Sequence, residues 1–98
     1  MRVFLYGNTF DFGIGDWAVV RGFELVIDKD KEPEAVKSED GCVYGRIYNV
    51  DNSVMESLDA YHGIGIGLHE RITVTAILEG NRRERVFMYE MCPQALQR

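Results

Sequence analysis

The feature that most constrains this chain is the run Arg2-Val3-Phe4-Leu5-Tyr6-Gly7-Asn8, which starts at the second residue. Its centre is apolar without alternation, and a glycine ends it. A run too short for a helix and cut off by glycine predicts a strand buried on both faces that enters a tight turn. Gly7 has no Cβ and so tolerates the positive φ that a sharp turn can require. The loop that follows, Asn8 to Asp16, is glycine-rich and holds Asp11 and Asp16. Loops that leave the end of a central strand often carry function, so a site is expected here. A strand at residue 2 is also expected to leave no room for a leader.

The rest of the pattern supplies partners for that strand. Trp17 to Val20 and Phe23 to Ile27 are β-rich and flank Arg21-Gly22, which predicts one strand with a break or bulge at Gly22. Asp28 to Asp40 is highly charged and contains Pro33, which predicts an exposed connection. Cys42 to Val50 reads as a strand with Gly45 in its middle, a sign that a backbone or a ring comes close. Asn52 to Tyr61 is the one clear helix. Val54, Leu58 and Tyr61 share a face, Ser53 and Glu56 have capping-box spacing, and Gly63 ends it. Arg71 to Leu78 alternates, with Ile72, Val74, Ala76 and Leu78 on one face. The chain turns over Glu79 to Arg82 and returns along Glu84 to Met91, which makes a hairpin. The tail after Pro93 is expected to fray. This order predicts an α+β fold in a single domain, residues 1–98. It would be a small mixed β-barrel or sheet of about five to six strands with one main helix.

Composition excludes several classes of function. The formal net charge of −5 disfavours a nucleic-acid surface, which needs a basic stripe. The short cluster Arg82-Arg83-Glu84-Arg85 reads as a solvated hairpin turn. No stretch approaches the ~20 apolar residues of a membrane span, and no signal peptide is visible. Cys42 and Cys92 stand apart and outside any CxxC pair, so they read as core residues of a reduced, cytoplasmic protein rather than as a disulfide or zinc framework.

In order along the chain, these segments resemble the γ-glutamylcyclotransferase-like family, also called AIG2-like or butirosin-synthesis-like. The family opens with an apolar strand ending in Tyr-Gly, here Val3-Phe4-Leu5-Tyr6-Gly7-Asn8-Thr9. The later segments are Gly22-Phe23-Glu24-Leu25, Pro33-Glu34-Ala35-Val36, Val43-Tyr44-Gly45-Arg46-Ile47-Tyr48, Leu58-Asp59-Ala60-Tyr61-His62-Gly63 and His69-Glu70-Arg71. The resemblance implies a small mixed β-barrel with flanking helices. It also implies a reaction in which the α-amine of a γ-glutamyl group attacks its own γ-carbonyl and releases 5-oxoproline plus an amine or amino acid.

Four departures from the family pattern stand out. Only about ten residues separate Tyr6-Gly7 from the second strand, where the family usually has a helix. His62 aligns with the family's acid/base glutamate. His69 replaces the Tyr of Tyr-x-Arg, and Asn8 replaces a Thr or Ser.

The chemistry needs one group that takes a proton from the attacking amine and returns it to the leaving group. It also needs N–H donors for the oxyanion and for the substrate carboxylate. The resemblance makes His62 the catalytic candidate, since neutral imidazole accepts and returns a proton near pH 7. It makes Tyr6, Gly7, Asn8, Thr9 and Arg71 the substrate-binding candidates. The amides of a glycine turn suit an oxyanion. Other readings of these residues remain open. His62 can simply interact with the last helix carbonyls, Tyr6 can bury its ring, Asp59 can fix the helix end, and Asp11 and Asp16 can be turn residues. Glu70 is a second acid/base candidate, but it points away from His69 and Arg71. His62 and His69, seven apart across a loop, match no common metal spacing, so neither a metal nor a cofactor is expected. The expected partner is a small γ-glutamyl compound or another small anionic ligand, with no nucleic acid and no membrane; the oligomeric state is left open. The alternative function is a catalytically inactive member that binds a small ligand or a protein.

Overall fold

The structure is a computed structural model and describes residues 1–6, 12–27 and 33–92. Five strands and one helix follow in the order β1 (Arg2–Leu5), β2 (Asp16–Val26), β3 (Glu34–Asn49), α1 (Asn52–Tyr61), β4 (His69–Leu78) and β5 (Arg83–Met91). The strands close into a barrel in the order β1-β3-β2-β4-β5. All pairs are antiparallel except β1 with β5, which meet in parallel at Val3 and Phe87.

The unbroken apolar run of β1 follows from its place between β3 and β5, with a core on each side. Phe4 points into the barrel among Val20, Val43, Ile47, Ala76 and Met88. Val3 and Leu5 point outward into a second cluster with Tyr48, Met55, Leu58 and Tyr89, which α1 covers. Val3 and Phe4 are wholly buried. Polar residues at either face would leave one core short of apolar area, at roughly 1.5–3 kcal/mol per large side chain.

Gly45 behaves as its mid-strand position predicts. A Cβ there would meet the Phe4 ring at 2.7 Å and also the Leu5 carbonyl oxygen, so β1 lies directly on it. The expected irregularity near Gly22 is present as a register shift. Arg21 pairs with Cys42, whereas Phe23 pairs with Lys37, so residues 38–41 of β3 bulge opposite Gly22 alone. Gly22 has φ +90°, which L side chains rarely adopt.

Three sequence expectations are corrected. Residues 34–40 of the charged connection are strand, pairing with β2 through Glu34–Val26 to Lys37–Phe23. The ladder satisfies the backbone whatever the side-chain polarity, so of this stretch only Ala35 is fully buried, while Lys37, on the same face two residues on, is exposed. Residues 28–32 lie outside the described residues, as do those after Cys92.

The helix cap is Asp51 rather than the Ser53–Glu56 box. Its carboxylate accepts the Val54 N–H at 3.0 Å and the Ser53 hydroxyl at 2.8 Å, because an ionised acceptor outcompetes a hydroxyl at a helix start. The buried helix face is centred on Met55 and Leu58, and Tyr61 is 56 % exposed. The chain leaves α1 through Gly63, in the left-handed region at φ +67°, and a 3-10 turn at Ile64–Ile66. Among the described residues no helix is long and apolar enough to cross a membrane.

Candidate functional site

The C-terminal end of α1, the start of β4, the end of β5 and the first residues of β3 converge on one polar cluster. The path of the chain forces this meeting. Gly63 reverses the chain at His62, and β4 then begins at His69 beneath the helix end. Outward-facing positions of the β4–β5 hairpin follow every second residue, so Arg71 and Tyr89 stand directly opposite each other.

His62 caps the helix. Its ring is nearly buried, stacks on the Tyr89 ring at 3.9 Å with a 5° interplanar angle, and meets the His69 ring edge-on at 5.2 Å. Nδ1 donates to the Leu58 carbonyl at 2.8 Å. A carbonyl can only accept, so this bond puts the proton on Nδ1 and the lone pair of the neutral ring on Nε2. Burial pushes the His62 pKa below its ordinary value, and the neighbouring His69 charge adds to that, outweighing the Leu58 bond. His62 is therefore a neutral imidazole near pH 7, its ring held by stacking on Tyr89 and by the bond to Leu58.

His69 is in the opposite state. Nδ1 donates to the His62 carbonyl at 2.6 Å and Nε2 meets the Glu34 carboxylate at 2.5 Å. Both partners are acceptors, so the ring satisfies them only as imidazolium. Burial pushes its pKa down, but the hydrogen bond and the charge of Glu34 prevail and the net shift is upward. Glu34 lies 35 residues before His69 and appears in the sequence only as part of Pro33-Glu34-Ala35-Val36, not as a candidate site residue; one charged residue at the edge of a charged segment gives no local signal.

Tyr89 and Asp59 complete the cluster. The Tyr89 hydroxyl donates to Asp59 Oδ1 at 2.6 Å, and Arg71 Nη1 reaches Asp59 Oδ2 at 3.2 Å. Desolvation, with Asp59 beside it, raises the Tyr89 pKa and keeps the phenol protonated. The Arg71 guanidinium also lies 5.2 Å from the Phe87 ring centroid. The alternation of the β4–β5 hairpin could have picked out Tyr89 as the partner of Arg71.

The other candidates are distributed as follows. Tyr6 is part of the framework between β3 and β5: its hydroxyl accepts the Ala35 N–H at 3.1 Å and donates to the Tyr89 carbonyl at 3.1 Å. Burial pushes its pKa well up. Gly7, Asn8, Thr9 and Asp11 lie outside the described residues. Residues 12–15 form no helix. Asp16 is a strut rather than a site residue, paired with Arg2 at 2.9 Å. Glu70 is exposed and faces away from His69 and Arg71, opposite Glu90 on β5. An apolar cleft of about 420 Å³ lies between Phe12 and the Val54, Leu58 and Tyr61 face of α1. Tyr61 packs edge-on against His62 at 5.3 Å, so this cleft borders the cluster. The arrangement provides a fixed neutral base, a cation and an adjoining apolar cleft.

The family model described as gamma-glutamyl cyclotransferase, AIG2-like, matches residues 3–98. No curated protein is significantly similar to the chain in sequence. Among solved structures, one from Arabidopsis thaliana is 27 % identical with a TM-score of 0.78, over 96 % of this chain and 70 % of that one. An AIG2-like protein from Mus musculus is 20 % identical with a TM-score of 0.69, over 98 % and 65 %. A structure titled gamma-glutamyl cyclotransferase is 17 % identical with a TM-score of 0.64, over 92 % of this chain and only 53 % of that one. The chain thus spans between about half and 70 % of the lengths of these neighbours. With the barrel, the helix and the family match in agreement, this chain belongs to the gamma-glutamyl cyclotransferase, AIG2-like family.

Proposed function

We propose that the chain acts on a small γ-glutamyl compound and releases 5-oxoproline, with His62 as the proton-transfer group. One observation carries this reading: His62 is a buried, neutral imidazole whose Nδ1 is committed to the Leu58 carbonyl. Its Nε2 lone pair takes the proton from the substrate α-amine as that nitrogen attacks the γ-carbonyl. The tetrahedral intermediate collapses, the γ-amide C–N bond breaks, and Nε2 returns the proton to the departing amine. Amides of the Gly7-Asn8-Thr9 turn are the proposed donors to the oxyanion, and Arg71 is the proposed partner of the substrate carboxylate.

A second reading, binding without turnover, is favoured by the ion pair of Arg71 with Asp59, which a substrate carboxylate would have to displace. Incubation with γ-glutamyl amines and assay of 5-oxoproline separates the two. Turnover by the wild type, a fall of ~10²–10⁴-fold in His62→Gln and retained or raised activity in His62→Glu support catalysis by His62. A melting temperature raised by a γ-glutamyl compound with no 5-oxoproline formed supports the binding module. Neither response would remove both readings.

A further inference from the structure

The outer face of the barrel opposite α1 has a chemistry that the cyclotransferase reading does not use. Strand alternation gathers there Trp17 and Arg21 from β2, Tyr44 and Arg46 from β3, and Arg83 and Arg85 from β5. Their inward neighbours Ala18, Val20, Val43 and Val86 are buried in the barrel core, which fixes the outward direction of all six. Trp17 is 65 % and Tyr44 73 % exposed. Arg46 lies 4.2 Å over the Trp17 ring, held flat by a cation–π contact. Val19 and Ile77 fill the floor between the two aromatic residues and Arg83.

Charge makes this face unusual for the chain. The sequence carries five more acids than bases, and two arginines elsewhere are neutralised, Arg2 by Asp16 and Glu84 and Arg71 by Asp59. Among the described residues, none of the four guanidiniums on this face has a carboxylate within ion-pair distance. Their outward rows contain no Lys, Asp or Glu. The acids Glu39, Asp40 and Glu79 stand at the rim, in the β3 bulge and the hairpin turn, and Lys37, Glu70 and Glu90 share a bordering cleft with Arg21 and Arg83.

We propose that this face docks an acid-rich segment of another protein. Exposed Trp, Tyr and Arg, with Lys and acids kept to the border, is the composition of the energetic centre of a protein interface. Four unneutralised guanidiniums call for carboxylates, and Arg binds them bidentately. The same face of a second copy would set arginine against arginine. Nucleic acid is the weaker match, because the chain as a whole repels a long polyanion and nucleic-acid-binding domains are usually basic throughout.

Trp17 is the chain's only tryptophan, so its emission reports on this face directly. The probe is a synthetic peptide of Glu-Glu-Phe repeats, titrated at low salt against wild type, Arg83→Ser/Arg85→Ser and Arg83→Glu/Arg85→Glu. These positions are exposed, and melting curves check that the fold is kept. The expected result is a saturable change in Trp17 emission that weakens with salt. It should weaken on the order of tenfold in the serine variant and vanish in the glutamate variant. Any of four results overturns the proposal: no response in wild type, equal affinity in the glutamate variant, tighter binding of oligo(dT) than of the peptide, or a dimer in sedimentation that the glutamate variant disperses.

Discussion

Gly45→Ala tests how tightly β1 is laid on β3. The added Cβ would meet two carbons of the Phe4 ring, at 2.7 and 3.0 Å, and the carbonyl oxygen of Leu5. Neither neighbour can give easily. Phe4 is fully buried in the barrel core, and the Leu5 carbonyl belongs to a strand paired with Arg46. Relief requires β1 to move away from β3, which strains the core by about 1–3 kcal/mol and weakens a ladder hydrogen bond worth about 1 kcal/mol. Loss of glycine's extra freedom in the unfolded chain returns about 0.5–1 kcal/mol. The net cost is therefore about 1–3.5 kcal/mol. At about 4–8 °C per kcal/mol for a domain this size, the melting temperature should fall by roughly 4–28 °C. Gly65→Ala is the control, since a Cβ there meets nothing within 4 Å. Circular-dichroism melts of both variants decide the matter. A Gly45→Ala midpoint within about 2 °C of wild type would refute the close-packing argument.

Three further outcomes are expected. Tyr6→Phe leaves the Ala35 N–H and the Tyr89 carbonyl without their shared hydroxyl, and should cost about 1–3 kcal/mol in urea unfolding, with faster amide exchange at Ala35. The Glu34–His69 pair makes stability depend on pH. Because the folded His69 pKa is raised, its contribution is fully present below the unfolded value near 6.5 and fades as pH rises through the folded value. Glu34→Gln should therefore destabilise the protein more at pH 5.5 than at pH 9, and equal losses at both would contradict the ion pair. Asp51→Ala removes the N-cap of α1 and should lower stability, read as a fall in the denaturant midpoint.

Much of the architecture was legible because burial imposes periodicity. The two-sided core around β1 wrote an unbroken apolar run, and the one-sided burial of β4 wrote the alternation from Ile72 to Leu78. The start of β3 was not legible. In that two-stranded arm only Ala35 needs to be apolar, so its neighbours can be charged, and charge reads as loop. The site was legible where it is local, as at His62 beside a helix-ending glycine. Glu34–His69 and Tyr89–Asp59 are contacts between distant residues that tertiary folding alone creates. The arginine face was hidden for the same reason, being assembled one residue in two from separate strands.

The single parallel meeting of β1 with β5, at Val3 and Phe87, has a kinetic consequence. The barrel closes only when a strand from the beginning of the chain joins one from near residue 90, and β1's other partner, β3, is itself far along the chain. Such distant pairings must overcome loop-closure entropy before they gain contacts, so the last seam should form slowly, on the millisecond-to-second scale of high-contact-order folds. During synthesis, Val3-Phe4-Leu5 emerges before β3 and β5 and must wait for the segments that complete its burial. In that interval it is an apolar, unpaired strand, the kind of segment that chaperones and aggregation compete for.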